Sequence, residues 1–262
     1  MPTTLESLAP WSDDRGNRVE FEGTLPADAR IKVVFRGSGN VLRVDAKARL
    51  AHLSVTFDCD GGTCEIGSSA GVPPFRAIVR VGQDSTVVVG QNVSSTGNVV
   101  ISAVEGTTVT IGDDVMFATG NQVRADDGHP IFDVTSGKRV NRSRSITVGS
   151  HVWLAFDAAL LAGAQVGDGA VVGFRSVVKG RIPNNCIAVG APARVVRRDI
   201  AWERPHLSVA RPYYKPDAST VKKSEAYWNL TEDPAEQADG GTPAVRSVRP
   251  GVRSRVRRVL GR

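Results

Sequence analysis

Between Val148 and Val178 an aliphatic residue stands at every sixth position: Val148, Leu154, Leu160, Val166, Val172 and Val178. A helix renews its apolar face about every 3.6 residues and a strand every two, so neither explains a period of six. Upstream, Val81, Val87, Val93, Val99, Glu105, Ile111, Phe117 and Val123 keep one phase of six. Thirteen of these fourteen positions are apolar in a chain that is 41% hydrophobic, and Glu105 is the exception. Chance gives this in roughly one of 10⁴ trials. Four residues after each aliphatic of the later block come Val152, Ala158, Ala164, Ala170, Ser176 and Ile182, mostly small, and Gly149, Gly167 and Gly173 follow the aliphatic directly.

A solenoid with short flat faces accounts for this pattern. Each hexad supplies a short strand and a turn, and three hexads make a triangular coil. The sixth-residue aliphatic points inward onto its equivalent in the next coil, while small residues and glycine fit the corners. Backbone hydrogen bonds then run between coils, so each coil is stable only on its neighbours. The phase breaks once, after Val123, and resumes at Val148. The stretch between them, HPIFDVTSGKRVNRSRSIT (129–147), is nineteen residues that a solenoid expels as a loop from one corner. It begins with His129 and holds Lys138, Arg139, Arg142 and Arg144. These bases point to an anionic glycan or to plain solvation.

The hexad phase resembles that of the hexapeptide-repeat acyltransferases. The resemblance implies an all-β fold: a left-handed parallel β-helix with one extruded loop and a C-terminal extension. The handedness is carried by the resemblance alone. DDGHPIFD (126–133) followed by VGSHVWLA (148–155) is similar, more narrowly, to the O-acetyltransferases of bacterial capsular and surface polysaccharides. That resemblance implies His129 as general base. It also implies Trp153 beside the active site of an adjacent subunit of a homotrimer. Ala155 departs from the glycine usual there. A base near neutral pKa suits removal of a hydroxyl proton. The oxyanion needs a donor, either a backbone N–H at a Gly or Ala corner or the Trp153 indole. Asp126, Asp127 and Asp133 are all near enough in sequence to orient the imidazole. His151 reads as structural or solvent-exposed, and His52 and His206 have no motif context.

CIAVGAPARVVRR (186–198) resembles the segment that closes the coils of this family, beside which the cofactor's pantetheine arm runs. The implied donor is acetyl-CoA. Lys179 and Arg194, with Arg197 and Arg198 as lesser candidates, suit its phosphates. Ala155, Ala164, Gly173 and Ser176 are corner contacts on analogy. The implied function is O-acetylation of a carbohydrate hydroxyl. The alternatives are N-acetylation of an amino sugar or nucleotide sugar, or acetylation of a small xenobiotic. A γ-type carbonic anhydrase needs three zinc histidines, two of them spaced by five, and no such pair occurs among the four histidines. No metal is expected. A non-catalytic spacer is the remaining class, separated from the enzymes by acetyl-CoA binding.

The net charge is +6, but Arg246, Arg249, Arg253, Arg255, Arg257, Arg258 and Arg262 stand in a tail with no acid. Taking those seven charges from +6 leaves the rest at −1, which argues against a nucleic-acid-binding body. Val252, Val256, Val259 and Leu260 make one helical stripe in this tail, so it reads as a basic amphipathic segment for an anionic membrane or a polyanionic glycan. Three cysteines, Cys59, Cys64 and Cys186, suggest a reducing compartment and buried or edge thiols. The first residues show neither a basic leader nor an apolar run, so a cytoplasmic protein, peripheral at the inner membrane at most, is expected. The expected divisions are an N-terminal segment 1–30, the β-helix 31–199 with loop 129–147, a packing segment 200–229 pinned by Trp202, Tyr213, Tyr214 and Trp228, and an acidic linker with basic tail 230–262.

Overall fold

A computed structural model describes residues 1–232; the basic tail and most of the acidic linker lie outside the described residues. Within 1–232 the strands are two to eight residues long, and the only helical pieces are the 3-10 turns Ala218–Thr220 and Glu225–Tyr227. The strands stack into three sheets: a first face of eight, a second of nine and a third of six. The chain visits the faces in that order and repeats the circuit. Phe75–Val81 lies on the first, Thr86–Val89 on the second, Ser94–Ser95 on the third, and Val99–Ala103 returns to the first. Each of these strands pairs in parallel with its equivalent one coil on.

The coils are not uniform, and here the three-hexad expectation needs correction. From Ala159 opposite Val177 the step is 18 residues, as three hexads require. Upstream it is 22: Ile78 lies opposite Val100, and Val100 opposite Gln122. Val87 therefore stacks on Val109 rather than on position 105. The upstream apolar positions of the phase are still buried, because each wider face carries two or three inward residues at alternate positions, such as Val99, Ile101 and Ala103. The wider cross-section is filled by Phe35, Phe57, Phe75 and Phe117, whereas the narrow coils close over Leu154, Leu160, Val166, Val172 and Val178. Val152, Ala158, Ala164, Ala170 and Ser176 are each fully buried at the narrow corners. Glu105 sits at an exposed corner with φ +59°.

Coil approach is close where glycine follows the aliphatic. A Cβ on Gly112 would lie 2.7 Å from the carbonyl carbon of Gly149 in the next coil, so no side chain fits without moving backbone. At the start of the solenoid Thr3–Leu5 runs antiparallel to Arg30–Phe35, and the hairpin Trp11–Ser12 with Arg18–Glu20 extends the second face. Trp11, Phe35 and Phe57 stack at 5.2 and 5.0 Å in this wide end. At the other end Ala193–Arg197 folds back antiparallel on Ile187–Gly190. The strap from Ile200 to Glu232 then returns along the solenoid.

Candidate active site

The extruded loop leaves the edge between the first and second faces, after Gln122–Arg124 and before Ile146–Val148. It ends at Ser145, two residues earlier than its sequence boundary, because Ile146 and Thr147 already belong to a strand. The loop is a short hairpin: Phe132 bridges Arg139, and Val140 N–H donates to the Ile131 carbonyl at 2.9 Å. Asp133 closes its tip by accepting from the N–H groups of Thr135 and Ser136 and from the Ser136 hydroxyl, which holds its carboxyl below the usual range.

His129 stands exposed at the root of this hairpin. It lines a cleft of about 320 Å³ with Asp58, Arg80, Glu105, Asp126 and Arg139. Asp126 is almost wholly buried. It accepts from the Ser102 hydroxyl and from Gly128 N–H at 2.9 Å, so it sets the turn that presents the next residue, His129. Asp127 accepts from Asn141 Nδ2 at 3.0 Å. Within the described residues no hydrogen bond engages the His129 ring, so none of the three aspartates orients the imidazole directly. Glu105 receives Arg139 Nη1 and, at 2.5 Å, the Ser143 hydroxyl. These bonds bring its carboxyl down to about 2. They tie the returning limb of the hairpin to the coil beneath.

Trp153 is on the third face, beside Met116 and Val171 in neighbouring coils, so one subunit does not bring it to His129. Its indole is about one-third exposed and leans on buried Trp202, with ring centroids 6.0 Å apart. His151 turns out to be buried, not solvent-exposed. Its Nδ1 lies 2.5 Å from Asp114 Oδ2 and its Nε2 2.9 Å from the Trp202 carbonyl. Trp202 and Tyr227 stack on it at 4.2 and 4.6 Å. Arg204 Nε donates to Asp114 Oδ1 at 2.5 Å. Burial raises the Asp114 carboxyl, and the bonds from His151 and Arg204 outweigh it, leaving it below its ordinary value. The strap is thus locked to the edge between the second and third faces. Trp202 and Tyr227 do this pinning, and Trp228 donates to Glu203 at 2.8 Å. Tyr213 and Tyr214 are exposed instead. The sequence reading missed this lock, yet Asp114 and His151 are separated by the same 37 residues as Met116 and Trp153.

Lys179 and Arg194 come together, with Arg181, around a cleft of about 400 Å³ that has no acidic lining residue. Ala164 and Ser176 belong elsewhere, as both are fully buried. The Ala164 N–H donates to Leu161 and its carbonyl accepts from Thr147; the Ser176 hydroxyl accepts from Gly190 N–H. Neither residue leaves a group for a cofactor. Gly173 donates to Ala188 at 2.8 Å, and a Cβ there would meet the Val189 side chain, Cγ1 at 2.6 Å. Ala155 donates to Val172 and accepts from Asn121 Nδ2. Cys59 is exposed, Cys64 and Cys186 are buried, and all three are free thiols. Among the described residues no group of three His, Cys, Asp or Glu side chains is placed to hold a metal ion.

The polySia specific acetyltransferase NeuO superposes with a TM-score of 0.66 and 32% identity, over 72% of this chain and 79% of that one. The chain belongs to the hexapeptide-repeat acetyltransferase family. Its solenoid is the left-handed parallel β-helix of that family. The polysialic acid O-acetyltransferase OatWY, at 19% identity and a TM-score of 0.55, supports the fold alone. The polysialic acid O-acetyltransferase of Escherichia coli O1:K1 / APEC is 38% identical over 96 residues, 37% of this chain and 31% of that protein. Galactoside O-acetyltransferase of Escherichia coli (strain K12) is 34% identical over 132 residues, 50% of this chain and 62% of that protein. The chain therefore spans less than two thirds of the length of either curated relative. No family model matches the chain.

Proposed function

We propose that the protein transfers an acetyl group from acetyl-CoA to a carbohydrate hydroxyl, with a bacterial capsular or surface polysaccharide as acceptor. One observation carries this reading: the exposed His129 imidazole stands over a cleft at the root of the hairpin that this hexapeptide-family solenoid extrudes between residues 123 and 146. Bound acetyl-CoA supplies the acetyl group as a thioester. His129 accepts the proton of the acceptor hydroxyl as its oxygen bonds to the acetyl carbon. It returns that proton to the sulfur as the carbon–sulfur bond breaks. Lys179, Arg181 and Arg194 are the groups for the coenzyme phosphates, because their cleft offers cations and no competing carboxylate. Ala164 and Ser176 have no part in this reading.

Trp153 serves the neighbouring subunit of a homotrimer, and its separation from His129 within one chain supports this. A triangular solenoid has flat faces that closed cyclic symmetry packs on one another. We place the reaction in the cytoplasm, where the thioester donor is made. No described helix is long and apolar enough to cross a membrane.

The test is release of free coenzyme thiol with a panel of glycans. His129→Ala is expected to lower turnover about 10²- to 10⁴-fold with the fold intact. A variant that keeps near-normal turnover removes His129 from the chemistry.

A further inference from the structure

We propose that Trp202 is a positioning residue: clamped by the Asp114–His151–Arg204 lock, it fixes the Trp153 indole in the place from which it serves the neighbouring subunit's site. This rests on the reading of Trp153 as part of that site, but its own argument is how the indole is held. Trp153–Leu154 is a two-residue strand whose leucine is buried, so the tryptophan points outward from a flat face. Its neighbours along that face are Met116 and Val171, one coil to either side. An outward side chain has several staggered rotamers open to it. Trp202 closes some of them off, with 6.0 Å between ring centroids and 47° between planes. The Trp153 indole remains about one-third exposed, so part of its surface stays open to a partner.

Trp202 itself has little freedom. It is buried, its Nε1 donates to the His151 carbonyl at 2.9 Å, and its own carbonyl lies 2.9 Å from His151 Nε2. Residues 151 and 202 are therefore bound to each other twice, side chain to backbone in both directions, with their rings stacked at 4.2 Å. His151 is two residues from Trp153, so the coil that carries Trp153 also anchors the residue that packs on it. Arg204, two residues beyond Trp202, fastens the strap to earlier coils. Besides its bond to Asp114 Oδ1, its Nη1 donates to Ser94 Oγ at 2.8 Å, and its Nη2 meets the carbonyls of Asn92, Asp114 and Val115 at 3.1, 2.8 and 3.3 Å. A rigid guanidinium fork surrounded by acceptors fixes the backbone that carries it. The lock thus acts on both sides of Trp202 and ends on the ring that leans against Trp153.

The experiment compares full-length chains by steady-state acetyl transfer and by fluorine NMR after 5-fluorotryptophan labelling, with the Trp153 line assigned as the one absent from Trp153→Phe. Trp202→Leu keeps an apolar side chain under the strap but removes the ring. It is expected to lower kcat/KM about tenfold, and to broaden or split a Trp153 line that is single in the wild type. Arg204→Met leaves both indoles in place and is expected to do the same by loosening Trp202. In a Trp153→Phe background Trp202→Leu is expected to cost less than about threefold, because residues that act as one unit are not additive. A merely structural strap gives the same loss in both backgrounds and leaves the Trp153 line unmoved, and either result overturns the inference. A Trp153→Ala chain that loses turnover while Trp202→Leu keeps it overturns the positioning alone and leaves Trp153 in the site. A Trp153→Ala chain with wild-type turnover removes Trp153 from the site and the inference with it. If the wild-type chain acetylates no acceptor, the acetyl-transfer reading falls, and the fluorine line alone decides whether Trp202 fixes Trp153.

Discussion

Glu105 is the single polar residue among the six-spaced positions, and the hairpin gives the reason. At an exposed corner it is free to reach outward, and it holds Arg139 and Ser143 on the returning limb while His129 stands on the outgoing one. Glu105→Gln keeps the size but removes the charge that Arg139 faces. It is expected to lower kcat about tenfold, by letting the His129 root wander, while the KM for acetyl-CoA stays unchanged. Steady-state kinetics in both substrates checks this, and an unchanged kcat removes Glu105 from any positioning role. The pH dependence has a definite sign. The carboxyl falls from its ordinary 4.5 to about 2, so this tie contributes fully above pH 4.5 and is lost only as pH falls toward about 2. Across a neutral assay range, changes in rate therefore belong to other groups.

At the scale of the coil, the solenoid depends on how near one turn of backbone can lie to the next. The Gly112–Gly149 contact leaves no room for a methyl group, and the obstacle is backbone that belongs to the ladder itself. Gly112→Ala is expected to cost about 1–3 kcal/mol, the range for overpacking a rigid interior. Denaturant unfolding measures it; a loss below about 0.5 kcal/mol would mean the coils slide apart without penalty. The strap is an element of another kind. It has no buried strand to hold it, and its attachment is a polar lock in which Asp114, His151 and Arg204 satisfy one another beneath Trp202 and Tyr227.

For the whole molecule the separation of His129 from Trp153 has a direct test. If each site takes its histidine from one subunit and its tryptophan from the next, then His129→Ala and Trp153→Ala subunits complement one another. Co-expressed at equal levels, they place both native residues at about a quarter of the sites of a mixed homotrimer. Activity near a quarter of wild type is expected when either variant alone is almost inactive. Activity no higher than the sum of the two separate variants shows that each site is built from one chain, as does an active particle of 27.8 kDa in light scattering.

The periodicity by itself determined the architecture, because a six-residue apolar phase satisfies no other regular structure, and a break in that phase has to emerge at a corner. It also marked His129, since a break is visible without coordinates; Lys179 and Arg194 came forward only through the resemblance of the closing segment to the family. Coil width was hidden: Val87 and Val109 are one coil apart, but alternating inward residues on a wider face mimic the same phase. Burial was hidden too. Ala164 and Ser176 look like corner residues in the sequence, and only the packed coils show that they face inward with their polar groups taken. The His151 lock depends on a strap returning from residue 202, and the charge of the cleft depends on Asp58 and Arg80 arriving from earlier coils. Hydrophobic spacing is a local property that a chain displays along its length. The pairing of polar groups is settled by which coils stack, and that is decided only when the solenoid closes.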